Sequence, residues 1–427
     1  MTVESNQDWL KLDNAAKIYP AASSKDAPAV FRLSTTFDKP IRIAALQQAY
    51  ASVLARCPYF QVYLRRGVFW YYLQKHNQAP TIQLLDRFLR LGIPIHQRNT
   101  PLLRVQARGA SMAIDFSHIL TDGIGGMRFL TSVVAEYFRL SGIVVERWDT
   151  ILDPQDEPHP EEFEDGYRQH FDSGLPTPPK LSPAYHLPGE VAATTPYRIL
   201  SGRMPLSDML VLAKSHEVSL TEYLIALYMD AIARVREQEQ HRGRHVKRSV
   251  IRIEVPVNMR PYYASRTMRN FSLFVSPEID LSLGTFTLQE IVRKVHLSMR
   301  MQLDRKELQR QISRNVAGEL NPLVRVTPLL LKDLLLSAIH RRWGSVPYSG
   351  VLSNLGIIRV PSGISQHVKS FGCVLDPNPA LRKNCSVLSF KSELTVTFGS
   401  TVESRELERF FFTSLIQAGV SVQVKES

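Results

Sequence analysis

Cysteine is scarce in this chain: Cys57, Cys373 and Cys385 are the only three in 427 residues. An odd number without framework spacing excludes a disulfide-built scaffold and points to a reducing compartment. A cytoplasmic location is therefore expected. No apolar run reaches the roughly 18 residues that a membrane-crossing helix needs, so no transmembrane segment is expected. The first eight residues are polar and acidic, which does not resemble a signal peptide. Internal repeats and low-complexity tracts are absent, and so are zinc-finger spacings and aromatic-basic RNA signatures. A nucleic-acid partner is not expected, although the formal net charge is +12. A phosphate-bearing small molecule accounts for that balance more simply.

At 427 residues and 44% hydrophobic content the chain suits a globular protein with two cores. Composition shifts between 151 and 200, where nine of the 26 prolines fall beside the acidic run Glu161–Asp165. The expected division is therefore 1–150, a proline-rich linker 151–197, and 198–427, with Tyr167, Phe171, Leu175, Tyr185 and Leu187 docking the linker. Each flanking part mixes strand patterns with amphipathic helices, giving α/β or α+β.

The stretch from Met112 to Leu130 organises the first part. Leu103, Val105 and Ala107 alternate with polar residues, as do Met112, Ile114 and Phe116 after a turn at 109–111. His118 keeps the parity of Met112, Ile114 and Phe116, so it leaves the strand pointing inward. Asp122 and Gly123 follow, then Met127, Leu130, Val133, Val134, Tyr137 and Phe138 at helical spacing. The pattern is strand, glycine-rich turn, helix. A buried, satisfied histidine with a capping Thr121 or Asp122 fits it. So does a base of near-neutral pKa.

Elsewhere, Ala29–Thr36 reads as a strand, and 60–64 with 68–73 as a hairpin. The aromatic run 69–72 is either sheet packing or a channel lining. Ser219–Glu222 and Thr287–Glu290 are capping boxes, the second heading one long helix towards Val316. Residues 251–257 and 270–279 read as strands, 327–340 as an amphipathic helix, and 351–356 as a short strand entering a turn. The hairpin 386–400, a helix over 403–418 and an edge strand at 420–424 end the chain.

His118-x-x-x-Asp122-Gly123 resembles the signature of the CoA-dependent acyltransferase superfamily. That group includes chloramphenicol acetyltransferase, the plant BAHD acyltransferases, wax ester synthases and peptide-synthetase condensation domains. Val255-Pro256-Val257-Asn258-Met259-Arg260 and Ser353-Asn354-Leu355-Gly356 match in order. Phe31–Ser34, Arg56–Phe60 and Phe69–Tyr72 add a likeness to the alcohol acetyltransferase branch. The resemblance implies two chloramphenicol-acetyltransferase-like subdomains with mixed sheets and flanking helices, and an active-site tunnel between them. It implies transfer of an acyl group, expected to be acetyl, from acyl-CoA to a hydroxyl-bearing small molecule, with His118 as general base and Asp122 and Gly123 in the motif. Asp122 is expected to pair with Arg260, supported by Asn258. The oxyanion donor stays open between backbone N–H groups near Gly123 and the Asn354 side chain. No tightly bound cofactor, no metal and a monomeric state are expected.

Two departures bear on the branch. Condensation domains carry a second histidine where this chain has Ser117, and the plant family's C-terminal Asp-Phe-Gly-Trp-Gly is absent. Transfer from a carrier protein to a polyketide or lipid alcohol, and an inactive member acting as a binding protein, are the alternatives. The runs Arg242–Arg248 and Arg341–Arg342 are candidate phosphate contacts.

Overall fold

A computed structural model describes residues 8–86, 91–191, 197–339 and 344–426. Two mixed sheets form its frame. The first has five strands in the order Val368–Val374, Val30–Phe37, Ser111–Ser117, Leu103–Arg108, Gln83–Leu84. The second has eight, with Val250–Asn258, Gly350–Ile358 and Lys383–Phe390 adjacent and parallel at its centre. A three-stranded sheet adds Trp9–Lys11 to the hairpin Val62–Arg66 and Tyr71–Lys75. The α/β architecture with flanking helices is thus present.

Each large sheet carries its own core. Ile43–Arg56 buries Leu46, Tyr50, Val53 and Leu54 beside the helix Gly123–Leu140 over the first sheet. Leu220–His241, Leu288–Gln302 and Glu406–Gln417 cover the second. Both expected capping boxes form, Ser219 with Glu222 and Thr287 with Glu290, each satisfying donors that a helix start leaves free.

Several boundaries differ from the sequence reading. The helix after Thr287 stops at Gln302 and restarts at Arg305, because Asp304 accepts the Lys306 N–H and caps a second helix to Leu320. The strand expected over 270–279 is cut at Pro277, which lacks the N–H a ladder needs. Ser272–Val275 and Glu278–Asp280 pair separately with Val250–Asn258. The short strand at 351–356 runs on to Ile358 through a bulge between Asn354 and Ile357. Gly356 supplies the positive φ of 72° there.

The two parts interlock. Val368–Val374, from the expected C-terminal part, pairs antiparallel with Val30–Phe37 and completes the first sheet. The proline-rich segment is no free linker either. Tyr167, Tyr185 and Leu187 are buried, and Glu162 accepts two hydrogen bonds of 2.8 Å from Arg56 and one of 2.8 Å from the Tyr59 hydroxyl.

Arg56 and Glu162 side chains are 6% and 5% exposed, so neither charge is relieved by water. Removing one partner strands the other in a low-dielectric site. Glu162→Ala is expected to destabilise the chain by about 3–5 kcal/mol, read as a lower denaturant midpoint. A loss below about 1 kcal/mol, the range of exposed pairs, would show that the pair is not a clamp.

Candidate active site

His118 stands one residue beyond the strand Ser111–Ser117. Its N–H donates to the Ala29 carbonyl at 3.0 Å, and its own carbonyl accepts from Asn270 Nδ2 at 2.9 Å. The backbone is thus held from both parts of the chain. The ring lies between Tyr19 and Phe31, with centroids 5.2 and 4.7 Å away. Nδ1 is buried and makes no hydrogen bond among the described residues. Burial holds the imidazole pKa down at about 4, while the Asp122 charge and the Thr121 backbone push the other way. The ring is therefore neutral at pH 7.

The turn after His118 is pinned on every side. Leu120 N donates to the Ser117 carbonyl, and Thr121 Oγ1 donates to the Met268 carbonyl at 2.6 Å. Gly125 sits so close to this contact that a Cβ would fall 2.5 Å from the Met268 oxygen. That approach explains the glycine better than helix capping does. Asp122 itself caps the helix, accepting from Gly125 N at 3.0 Å.

Asp122 also accepts from the second part. Arg260 Nη1 and Nη2 reach its two oxygens at 2.9 and 3.1 Å, and Phe271 N donates at 2.9 Å. Burial opposes ionisation of this carboxyl. The Arg260 guanidinium and the two backbone donors outweigh it and hold the pKa below the usual carboxylate value. Arg260 spends its remaining donors on Asn258 Oδ1, the Thr267 carbonyl and the Arg269 carbonyl. All five N–H groups are used. Arg260 is therefore a clamp with no donor left for a ligand, and Asn258 orients it.

Asn354 is committed elsewhere. Its Nδ2 donates to Thr221 Oγ1 at 2.8 Å and its Oδ1 accepts from Gly356 N at 2.8 Å. It shapes the bulge that brings Leu355 against Gly123. Gly123 N and Ile124 N, at the helix start, make no hydrogen bond among the described residues. The structure thus brings together His118, Asp122, Gly123, Arg260 and Asn258, with Asn354 beside them through Leu355.

Other expectations meet different outcomes. Arg242 pairs with Glu406 and Glu239, Arg244 with Glu239, and Arg248 donates to the Ala184 carbonyl. These three guanidiniums each have a partner within their own half, while Arg242 and Arg244 stay more than half exposed. Arg341 and Arg342 lie outside the described residues. Trp70, Tyr71 and Tyr72 line a cavity of about 590 Å³, but His118 is not on its wall. Cys57, Cys373 and Cys385 are buried, and burial pushes the Cys57 and Cys373 thiols up to about 12 and Cys385 well up. None is a ready thiolate.

Tyr19 and Asn270 escaped the sequence reading, since neither lies in a motif and both act through long-range contact. Glu254 did too. It shares the strand face of Asn258, a parity that was readable. Burial, with Asp376 adding, pushes its carboxyl up to about 7; burial also raises Asp376 to about 7.

The Asp122–Arg260 contact makes a direct test. Asp122→Ala and Arg260→Ala should each cost about 3–5 kcal/mol, because each leaves a buried charge unpaired. The double variant should cost little more than either single one, since contacting pairs are non-additive. A double-mutant cycle with simple additivity would reject the clamp.

No family model matches the chain, and no curated protein sequence does. Solved structures do. Polyketide synthase associated protein 5 from Mycobacterium tuberculosis is 17% identical, with a TM-score of 0.60 over 95% of this chain and 97% of that one. Fusarium sporotrichioides TRI101, solved with coenzyme A and T-2, is 11% identical, with a TM-score of 0.63 over 98% and 100%. A wax ester synthase/diacylglycerol acyltransferase from Marinobacter aquaeolei VT8 is 13% identical, with a TM-score of 0.52 over 96% and 100%. At these identities the likeness is one of fold, and that fold is the one shared by CoA-dependent acyltransferases and condensation domains.

Proposed function

We propose that the chain is an acyltransferase that moves an acyl group, acetyl in the first instance, from acyl-CoA to an alcohol hydroxyl, with His118 as general base. One observation carries the reading: a neutral imidazole with Nδ1 buried, held at a strand end by a turn that Asp122 and Arg260 clamp. The likeness to a structure solved with coenzyme A supports the donor.

In the proposed step, Nε2 removes the hydroxyl proton as the oxygen attacks the thioester carbonyl. The carbonyl π electrons move to oxygen, giving a tetrahedral oxyanion. The unpaired N–H groups of Gly123 and Ile124 are the donors we assign to that charge. Collapse re-forms the carbonyl and breaks the C–S bond, and the imidazolium returns its proton to the leaving thiolate. Atoms and charge balance without a metal or redox partner. Transfer is direct, as all three thiols are buried and Ser117 Oγ accepts from Ile119 N in the turn. Asp122 and Arg260 are positioning residues, and we assign the step to the seam where that pair joins the two parts.

A carrier-protein thioester in place of acyl-CoA is the second reading, favoured by the likeness to a polyketide synthase associated protein. Thiol release from acyl-CoA and from an acylated carrier, side by side, separates the two.

His118→Ala should lower acyl transfer by about 10²–10⁴ with an unchanged circular dichroism spectrum. Activity within about tenfold of the parent would remove His118 from the base role.

The pH dependence has a definite sign. The active form is the neutral imidazole, and burial depresses its pKa to about 4. Activity should therefore persist down to mildly acidic pH, and kcat/KM should fall only as pH drops through about 4. An acid limb centred near the ordinary 6.5 would mean that the ring is solvated in the working enzyme.

A further inference from the structure

The helix Leu329–Ile339 buries Leu329 but turns most of its other leucines outward. Lys332 is only 5% exposed; its Nζ donates to the Phe69 carbonyl at 2.8 Å and sits 3.6 Å from the Trp70 ring centre. On the opposite stripe, Leu330, Leu331, Leu334 and Leu335 are 63%, 53%, 71% and 58% exposed. A surface helix in water buries its apolar stripe and shows its polar one. Polar anchors fix the reversed orientation here. Leu329 N donates to the Val68 carbonyl, and Asp333 accepts from both Arg66 and the Tyr71 hydroxyl. The ridge continues across these anchors to Val68, 73% exposed, and Phe69, 45% exposed. Leu323 and Val326, 76% and 67% exposed, extend it through the preceding short helix. A patch of this continuity marks a contact surface.

Its surroundings select the occupant. Around the ridge, residues 62–75 and 321–339 carry Arg65, Arg66, Lys75 and Arg325 besides the buried Lys332, against one acid, Asp333. Beside the ridge, the 590 Å³ cavity has Arg325, Lys11, Lys17 and Arg168 on its wall with one carboxylate, Glu319. Glu319 already accepts from Lys17 and Arg168. Trp70 and Tyr71 border both the ridge and the cavity. Leucines flanked by cations and amphipathic rings complement a layered phase: hydrocarbon for the leucines, headgroups for the rings, phosphates for the cations. A second copy would set this basic rim against itself. We propose that the ridge formed by the Leu329–Ile339 helix and the tip of the Val62–Lys75 hairpin docks the protein on an anionic lipid bilayer. Docking there holds the mouth of the cavity at the lipid surface. The proposal stands apart from the acyl-transfer reading, because binding is measured without turnover.

The test is flotation of the full chain with vesicles of phosphatidylcholine, alone or mixed with phosphatidylglycerol. The parent should float with the mixed vesicles and less with the neutral ones. Raising salt from about 0.1 to about 1 M, which shortens the screening length from about 10 to about 3 Å, should release part of it. Leu331→Glu combined with Leu334→Glu should weaken binding at least about tenfold, since two apolar groups no longer enter the hydrocarbon. Both sites are exposed, so thermal midpoint and transfer to a water-soluble alcohol should stay unchanged. Failure of the parent to float, or equal flotation of the double variant, would overturn the proposal. So would parent self-association that the variant abolishes without any flotation, which would make a second copy the occupant.

Discussion

A single guanidinium joins the two parts of the chain at the turn that carries His118. Arg260 has five donors, and every one is matched: two to Asp122, one to Asn258, two to backbone carbonyls of its own loop. Asp122 is matched as fully, by that fork, by the helix it caps and by Phe271. Desolvating two charges is costly, and only such saturation offsets it. The outcome is positional. The same carboxylate that starts the helix after His118 is held by the opposite part, so the turn cannot shift without opening the seam.

How much of this was legible depends on the range of the signal. Strand parity aimed His118 inward, and the capping boxes at Ser219 and Thr287 declared their helices, because both rest on neighbours a few residues apart. The Asp122–Arg260 pair spans 138 residues, and only the family resemblance pointed to it. Tyr19 against His118 and Asn270 on its carbonyl had no such pointer. Val368–Val374 went unread for the same reason, since its partner lies at the other end of the chain. In the basic loop at 242–248 the sequence could not show that Glu239 and Glu406 stand beside Arg242 and Arg244. In the Leu329–Ile339 helix the period was right, yet spacing alone cannot say which stripe faces the protein.

The depressed His118 pKa couples the site to stability. Between about pH 6.5 and 4 the unfolded chain takes up a proton that the folded chain refuses, so stability falls as pH falls through that window. At neutral pH the ring is neutral in both states, so the cost of this environment is felt only in acid. Asp122, with its pKa also held down, works in the same direction at lower pH. Its contribution is complete at neutral pH and is lost only in stronger acid, below the ordinary carboxylate range.

The strand Val368–Val374 has a consequence for biosynthesis. It closes one edge of a sheet whose other members are all made early, from Val30 to Ser117. At ordinary ribosomal rates the closing strand emerges roughly ten to fifty seconds after Ser117. Until then Val30–Phe37 offers an unpaired edge on the nascent chain, open to chaperones and to misplaced strands alike. The polypeptide must therefore wait for its own far end before the sheet beneath the His118 turn is complete.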